Sequence, residues 1–170
     1  MDRLILFRHG KTEARAPSGE DFDRRLTARG EADARLVAQA LAAGGLVPDR
    51  ALVSAAVRAR GTWEAIAPVF SAATVENRPD LYDSDARTVL TAAQTPLGRT
   101  VVIVAHNPGL QILAIALAGR ARAPSCEARL RAGFATGAAA AFGFPAGSGA
   151  GEPIEALGLY YPADFGGGPD

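Results

Sequence analysis

Apolar residues fall into two kinds of pattern along the chain. Leu4–Phe7, Ala51–Val53 and Val101–Ala105 are short unbroken apolar runs. Runs of this length read as strands buried on both faces, as in a parallel sheet. Between them, apolar residues recur at helical spacing. Thr27 is placed as an N-cap, with Gly30 rather than Glu three residues on, so no capping box forms. The helix it opens extends to about Ala43, with Leu36, Val37, Ala40 and Leu41 on one face, and Gly44-Gly45 ends it. Ser54 follows the second strand and stands where it could cap the next helix, whose buried face carries Val57, Trp63, Ile66 and Phe70. Pro68 should disturb that helix's last turn.

Thr74–Glu76 predicts a third strand, Asn77–Asp85 a run of turns, and Asp85–Gln94 a helix stopped near Pro96. Thr100–Ala105 is the strongest strand signal. His106-Asn107-Pro108 breaks it, and Pro108 favours the start of a helix with Leu110, Leu113, Ala114 and Leu117 on one face, closed by Gly119. The segment Arg120–Gly133 fits no single element. Phe134–Phe144 and Ile154–Tyr161 read as two late strands around a Gly-rich surface loop, Pro145–Pro153. Strands alternating with helices imply right-handed crossovers and a mostly parallel sheet covered on both faces. The expectation is one three-layer α/β/α domain over residues 1–165, with 166–170 as a frayed tail and no repeat or linker.

Composition narrows the function. The 170 residues include 18 basic and 18 acidic side chains, so bulk charge gives no support to a nucleic-acid or membrane-surface partner. Only Lys11 among the basic residues is Lys. Ala and Gly are also abundant, a bias expected of GC-rich coding that discounts most arginines as functional signals. The single cysteine, Cys126, can form no internal disulfide and has no cysteine partners for a zinc cluster. The apolar start is too short for a signal peptide, and Leu110–Ala118 is about half of what a bilayer requires. A cytoplasmic, soluble protein is expected.

The chain has two histidines, and each follows a strand. His9 comes after Leu4–Phe7, separated by Arg8; His106 directly follows the strongest strand. In open α/β sheets ligands bind beyond the carboxyl ends of the strands. Ser54 opens onto the same edge, and Arg58 lies one helical turn further on. Two histidines without cysteines or a carboxylate cluster make a poor metal site, so neither metal nor cofactor is expected. Phosphate-loop, dinucleotide and serine-elbow motifs are missing from the sequence. Histidine with several arginines suits phosphoryl transfer: neutral imidazole is a nucleophile near pH 7, and guanidinium forks match phosphate oxygens. Gly10 lets backbone approach the transferred group, or serves only the turn.

Five blocks resemble the histidine phosphatase superfamily, also called phosphoglycerate-mutase-like, in family order. They are Arg8-His9-Gly10, Leu26-Thr27-Ala28-Arg29-Gly30, Ser54 to Thr62 around Arg58, Val104-Ala105-His106-Asn107-Pro108, and Phe134-Ala135-Thr136-Gly137-Ala138. The resemblance implies that His9 is the phosphorylated nucleophile and that Arg8, Arg58 and His106 bind the phosphoryl group, His106 donating a hydrogen bond to it. Arg60 is read as a solvated helix position, and Thr12 and Ser54 as turn or cap residues that could add hydrogen bonds. Ala55 stands where the block usually has Pro, which concerns the turn rather than the chemistry. Members acting on esters use a carboxylic acid to protonate the leaving group; Asp80, Asp83 and Asp85 are available here, and Asp83 is the candidate, or else a loop carboxylate capping the next helix.

The short chain and the uncertain acid resemble the SixA-type branch, which removes phosphoryl groups from phosphohistidine on signalling proteins. An imidazole leaves a phosphoramidate far more readily than an alkoxide leaves an ester, so a weak acid is tolerable for the first and damaging for the second. The expected partner is therefore a phosphorylated protein. A small phosphorylated substrate, such as a sugar phosphate or nucleotide, is the alternative. A phospho-ligand binding module without turnover is the alternative of another class.

Overall fold

The computed structural model describes residues 1–94, 98–145 and 154–168; the expected stop near Pro96, most of the expected 145–153 loop and the last two residues of the expected tail lie outside them. Six strands form one sheet: β1 (Arg3–Arg8), β2 (Arg50–Ser54), β3 (Thr74–Arg78), β4 (Thr100–Ala105), β5 (Ala139–Gly143) and β6 (Glu155–Tyr160). Their order is β3-β2-β4-β1-β5-β6. The first four are parallel to one another; at the other side β5 pairs antiparallel with β1, and β6 antiparallel with β5. Five helices cover it: α1 (Ala28–Ala43), α2 (Val57–Ile66), α3 (Ala86–Gln94), α4 (Gly109–Arg120) and α5 (Pro124–Ala132). No helix of the described residues is long and apolar enough to cross a membrane.

The unbroken apolar runs become strands because both faces of the sheet are covered. Ile5 and Phe7 of β1, with Val102 and Val104 of β4, pack against Ala34, Val37, Ala38 and Leu41 of α1 and Ala59, Trp63 and Ile66 of α2. Leu4 and Leu6, with Val101, Ile103 and Ala105, face Leu110, Leu113 and Leu117 of α4, Val89 of α3 and Leu130 of α5. Leu4 to Phe7 are fully buried, and each such side chain is worth roughly 1.5–3 kcal/mol of burial. The result is the three-layer α/β/α arrangement with a mostly parallel sheet that the patterning implied.

Several local expectations shift. Thr27 does cap α1, its hydroxyl accepting from Gly30 N at 3.0 Å. The helix face is centred on Ala34, Val37, Ala38 and Leu41, with Leu36 and Ala40 at its flanks. α2 ends at Ile66, so Phe70 reaches the core from the turn beyond it. Ser54 does not cap α2; its hydroxyl is spent elsewhere. The ambiguous segment contains α5, which buries only Leu130 fully and therefore shows no apolar period. Phe134–Ala138 is not strand: Gly137 N donates to His9 O at 2.9 Å, so this stretch clasps the end of β1 instead of pairing along it. The last described residues are held, Gly167 N by Pro162 O and Gly168 N by Asp33 Oδ1.

The connection leaving β1 runs to α1 on one face, and that leaving β4 runs to α4 on the other. The two strands are adjacent and parallel. The chain reverses its winding there, and the crevice beyond their carboxyl ends is the expected place for a ligand.

Candidate active site

His9 and His106 each stand one residue beyond a strand, on paired strands whose last residues, Arg8 and Ala105, lie side by side. His9 N donates to Ala105 O at 3.1 Å. The two rings end up with centroids 5.1 Å apart. Arg58, two residues into α2, reaches the same place: its Nε donates to His106 Nδ1 at 3.1 Å. Arg8 donates from Nη1 to Phe134 O at 2.6 Å. The structure thus brings together all four side chains singled out from the sequence. His9, His106 and Arg58 are each less than a tenth exposed.

They border a cavity of about 440 Å³, whose wall also includes Lys11, Thr12, Arg24, Asn107 and Thr136. Four of the lining side chains are cationic (Arg8, Lys11, Arg24 and Arg58) and none is a carboxylate. Such a cavity selects a small anion. Among the described residues no group of three or more His, Cys, Asp or Glu side chains is placed to hold a metal ion.

Backbone packing holds the walls. A Cβ on Gly10 would stand 2.5 Å from Gly30 O, and one on Gly30 would stand 2.7 Å from Lys11 N and closer still to Lys11 O. The loop after β1 and the first turn of α1 therefore touch backbone to backbone, and only glycine fits on either side. Gly10 N donates to Thr62 Oγ1 at 3.0 Å, and that hydroxyl donates to Arg58 O at 2.7 Å. One buried threonine thus ties the His9 loop to the helix that carries Arg58.

Hydrogen bonding sets the tautomers. His9 Nδ1 lies 2.8 Å from Gly10 O. A carbonyl only accepts, so Nδ1 carries the proton and Nε2 keeps its lone pair. His106 is the opposite: Nδ1 accepts from Arg58, and Nε2 donates to the buried Ser54 hydroxyl at 2.8 Å. Burial, seconded by the positive charges of Arg58, Arg8 and Arg24, lowers His9 to about 4, against an upward pull from the Gly10 carbonyl. Burial, with His9 and Arg58 beside it, lowers His106 to about 3. Both rings are neutral at pH 7, and His9 presents an unprotonated ring nitrogen in a cationic cavity.

Two site residues come from segments with no readable pattern. Asp21, in a short 3-10 turn (Asp21–Asp23), accepts from Arg58 twice: Nη1 donates to its carbonyl at 2.7 Å, and Nη2 lies 2.9 Å from its carboxylate. Tyr82 donates to the same carboxylate at 3.2 Å and sets its ring edge-on to His106. Burial would raise the Asp21 carboxyl, but hydrogen bonds and charge from Arg24 and Arg58 outweigh it and hold it below its ordinary value. Arg24 also donates to the Thr12 hydroxyl.

Of the three carboxylates considered as the acid, Asp80 is paired with Arg78 at 2.7 Å and Asp85 caps α3 through Thr88 N at 2.8 Å. Asp83 is exposed, with φ of 51°, and borders a smaller cavity shared with Asp21, Arg58, Tyr82, His106 and Asn107. It stands at the rim. Arg60 is exposed, as a solvated helix position should be.

Residues 4–89 match the model of the histidine phosphatase superfamily (branch 1), and the chain belongs to that family. Its fold is the phosphoglycerate-mutase-like one, and the protein is a phosphatase. It is 33% identical over 145 residues to an uncharacterised chloroplastic protein of Arabidopsis thaliana, covering 78% of this chain and 66% of that one. It is 38% identical over 123 residues to an uncharacterised protein of Picosynechococcus sp., covering 68% and 72%. Among solved structures it resembles a provisionally assigned phosphohistidine phosphatase SixA from Agrobacterium tumefaciens, with TM-score 0.77, 27% identity and coverage of 93% and 96%. A counterpart from Nakamurella multipartitia has TM-score 0.78, 26% identity and coverage of 95% and 96%.

Proposed function

We propose that this phosphatase removes the phosphoryl group from phosphohistidine on a protein, through a covalent intermediate on His9. The observation that carries the proposal is the bond from His9 Nδ1 to Gly10 O, which leaves Nε2 as the one nucleophilic nitrogen in a pocket walled by Arg8, Arg58 and His106. Nε2 attacks phosphorus, and the bond from phosphorus to the substrate's ring nitrogen breaks. The departing imidazole keeps the electron pair and takes a proton from solvent, which the attacking water gives back in the second step. Water then attacks the phosphorylated His9, releasing phosphate and restoring the neutral ring. Arg8 and Arg58 stabilise the three equatorial oxygens in both steps. Gly10 acts through His9: its carbonyl holds the ring, and its N–H is tied to Thr62.

His106 binds the same oxygens as a donor. Its Nδ1 accepts from Arg58. A phosphoryl dianion that draws Arg58 onto itself leaves Nδ1 free to take a proton, and the ring then donates from both nitrogens, to phosphate and to Ser54.

The carboxylates support the choice of leaving group. Asp21 is held ionised by two arginines, so it is a poor proton donor. Asp83 is at the rim. An imidazole leaving group needs little help; an alkoxide needs a strong acid. The family likeness to proteins named for SixA points the same way.

The test is a substrate panel: a phosphohistidine protein, an alkyl phosphate and an aryl phosphate, with His9→Ala as control. Turnover of the first at least about tenfold above the alkyl ester, lost in His9→Ala, supports the proposal. Preference for the alkyl ester, abolished by Asp83→Asn, would establish the small-molecule reading with Asp83 as the acid. Tungstate binding with no turnover of any of the three would leave a binding module.

A further inference from the structure

A second cleft, of about 500 Å³, opens beside the phosphoryl pocket and shares Arg8 and Asn107 with it. The partition between them is the Phe134 carbonyl, which accepts from both Arg8 Nη1 at 2.6 Å and Asn107 Nδ2 at 3.1 Å. The rest of the cleft is made by Gln111 of α4, Arg129 and Ala132 of α5, and Gly133, Phe134, Ala135 and Tyr161.

Two of its side-chain donors are committed within the protein. Gln111 Nε2 donates to Leu130 O at 2.8 Å, and Tyr161 Oη donates to Gly133 O at 2.7 Å. The Arg129 guanidinium carbon sits over the Tyr161 ring, 4.1 Å from its centroid, and one of its nitrogens donates to both oxygens of Asp164 at 2.7 Å. Between them the cleft presents the methyl groups of Ala132 and Ala135 and the edge of Tyr161, with Phe134 buried beneath. Hydroxyls of a sugar or ribose set against this apolar part would be buried unpaired, at a cost of about 1–3 kcal/mol each. An apolar side chain loses nothing there.

We infer that this cleft seats an apolar side chain flanking the phosphohistidine of the protein substrate, and that Ala132, Ala135 and Tyr161 determine which sequences are dephosphorylated. The inference rests on the phosphohistidine reading and deepens it. Contact continues from the phosphoryl pocket across the shared Arg8–Asn107 wall, so one peptide segment can occupy both.

The experiment compares two phosphohistidine peptides, one with leucines on either side of the phosphorylated residue and one with serines. Wild-type protein should favour the leucine peptide by roughly tenfold in kcat/KM, the scale of one buried apolar side chain. Ala132 is exposed, so Ala132→Trp fills the cleft without disturbing the core. It should erase the preference while leaving hydrolysis of inorganic phosphoramidate unchanged, which also shows that the variant is folded. Equal use of both peptides by wild type, or a preference surviving in Ala132→Trp, overturns the cleft assignment alone. Failure to hydrolyse either peptide, with an alkyl phosphate hydrolysed instead, overturns the phosphohistidine reading and the cleft with it.

Discussion

Arg58 Nε donates a hydrogen bond to His106 Nδ1 at 3.1 Å, and that one bond decides which nitrogen of His106 faces Ser54 as a donor. The guanidinium does this while its two terminal nitrogens hold Asp21. A lysine offers no planar fork and cannot make three directed bonds from fixed positions. Arg58→Lys should lower kcat/KM by roughly two to three orders of magnitude, the cost of losing a preorganised donor, with the melting temperature changed far less. Steady-state kinetics beside a thermal melt will show it; near-normal turnover would remove Arg58 from the phosphoryl site.

If His106 becomes a double donor when an anion arrives, binding must consume a proton. Titration calorimetry of tungstate at pH 7 in two buffers of different ionisation enthalpy should report uptake of roughly one proton. His106→Gln should report none. Equal heats in both buffers for the native protein would mean that His106 stays neutral.

Burying both imidazoles uncharged has a cost in acid. His9 at about 4 and His106 at about 3 lie below the ordinary histidine value near 6.5. As pH falls through 6.5 the unfolded chain binds protons that the folded chain refuses, so stability declines. Between pH 6.5 and 5 the histidines titrate before the carboxylates do. The unfolding free energy in urea should drop across this window, and His106→Gln should reduce the slope to about half. A flat profile would contradict burial of neutral rings. Activity should fall only at lower pH, as His9 itself gains a proton around 4.

Gly30→Ala places a methyl group against the Lys11 backbone, where neither partner is a flexible side chain. The helix start and the His9 loop must move apart. Loss of about 1–3 kcal/mol is expected from the overpacking, with weaker phosphate binding because Lys11 and Thr12 belong to the displaced loop. Denaturant melts and phosphate titration of the variant test this. Native stability would mean that the loop yields without strain.

The strands, the capped start of α1 and the histidine positions were legible because each depends on local pattern: unbroken apolar runs, a threonine before a helix, a histidine ending a strand. α5 was not, since a helix lying on the surface with one buried leucine needs no apolar period. Asp21 and Arg24 were hidden for another reason. They sit in a polar loop of a chain rich in arginine, and only folding that loop over α2 gives them a role. Tyr82 likewise acquires its place from packing against Phe22 and His106, whose chain positions are far apart. Asp83 was the candidate acid or a cap of the next helix; Asp85 makes that cap, and Asp83 borders the smaller cavity beside Arg58 and His106.

The gap between the two imidazoles is inherited from β-sheet geometry. Neighbouring strands lie about 4.8 Å apart whatever side chains they carry, and the rings, each one step past its strand, reproduce that interval at 5.1 Å. Mutational drift in the surrounding core can therefore soften the protein considerably without retuning its reacting distance. Deleting one residue from β4 would act quite differently: it would swing one ring to the opposite layer of the molecule and dismantle the pair at a stroke.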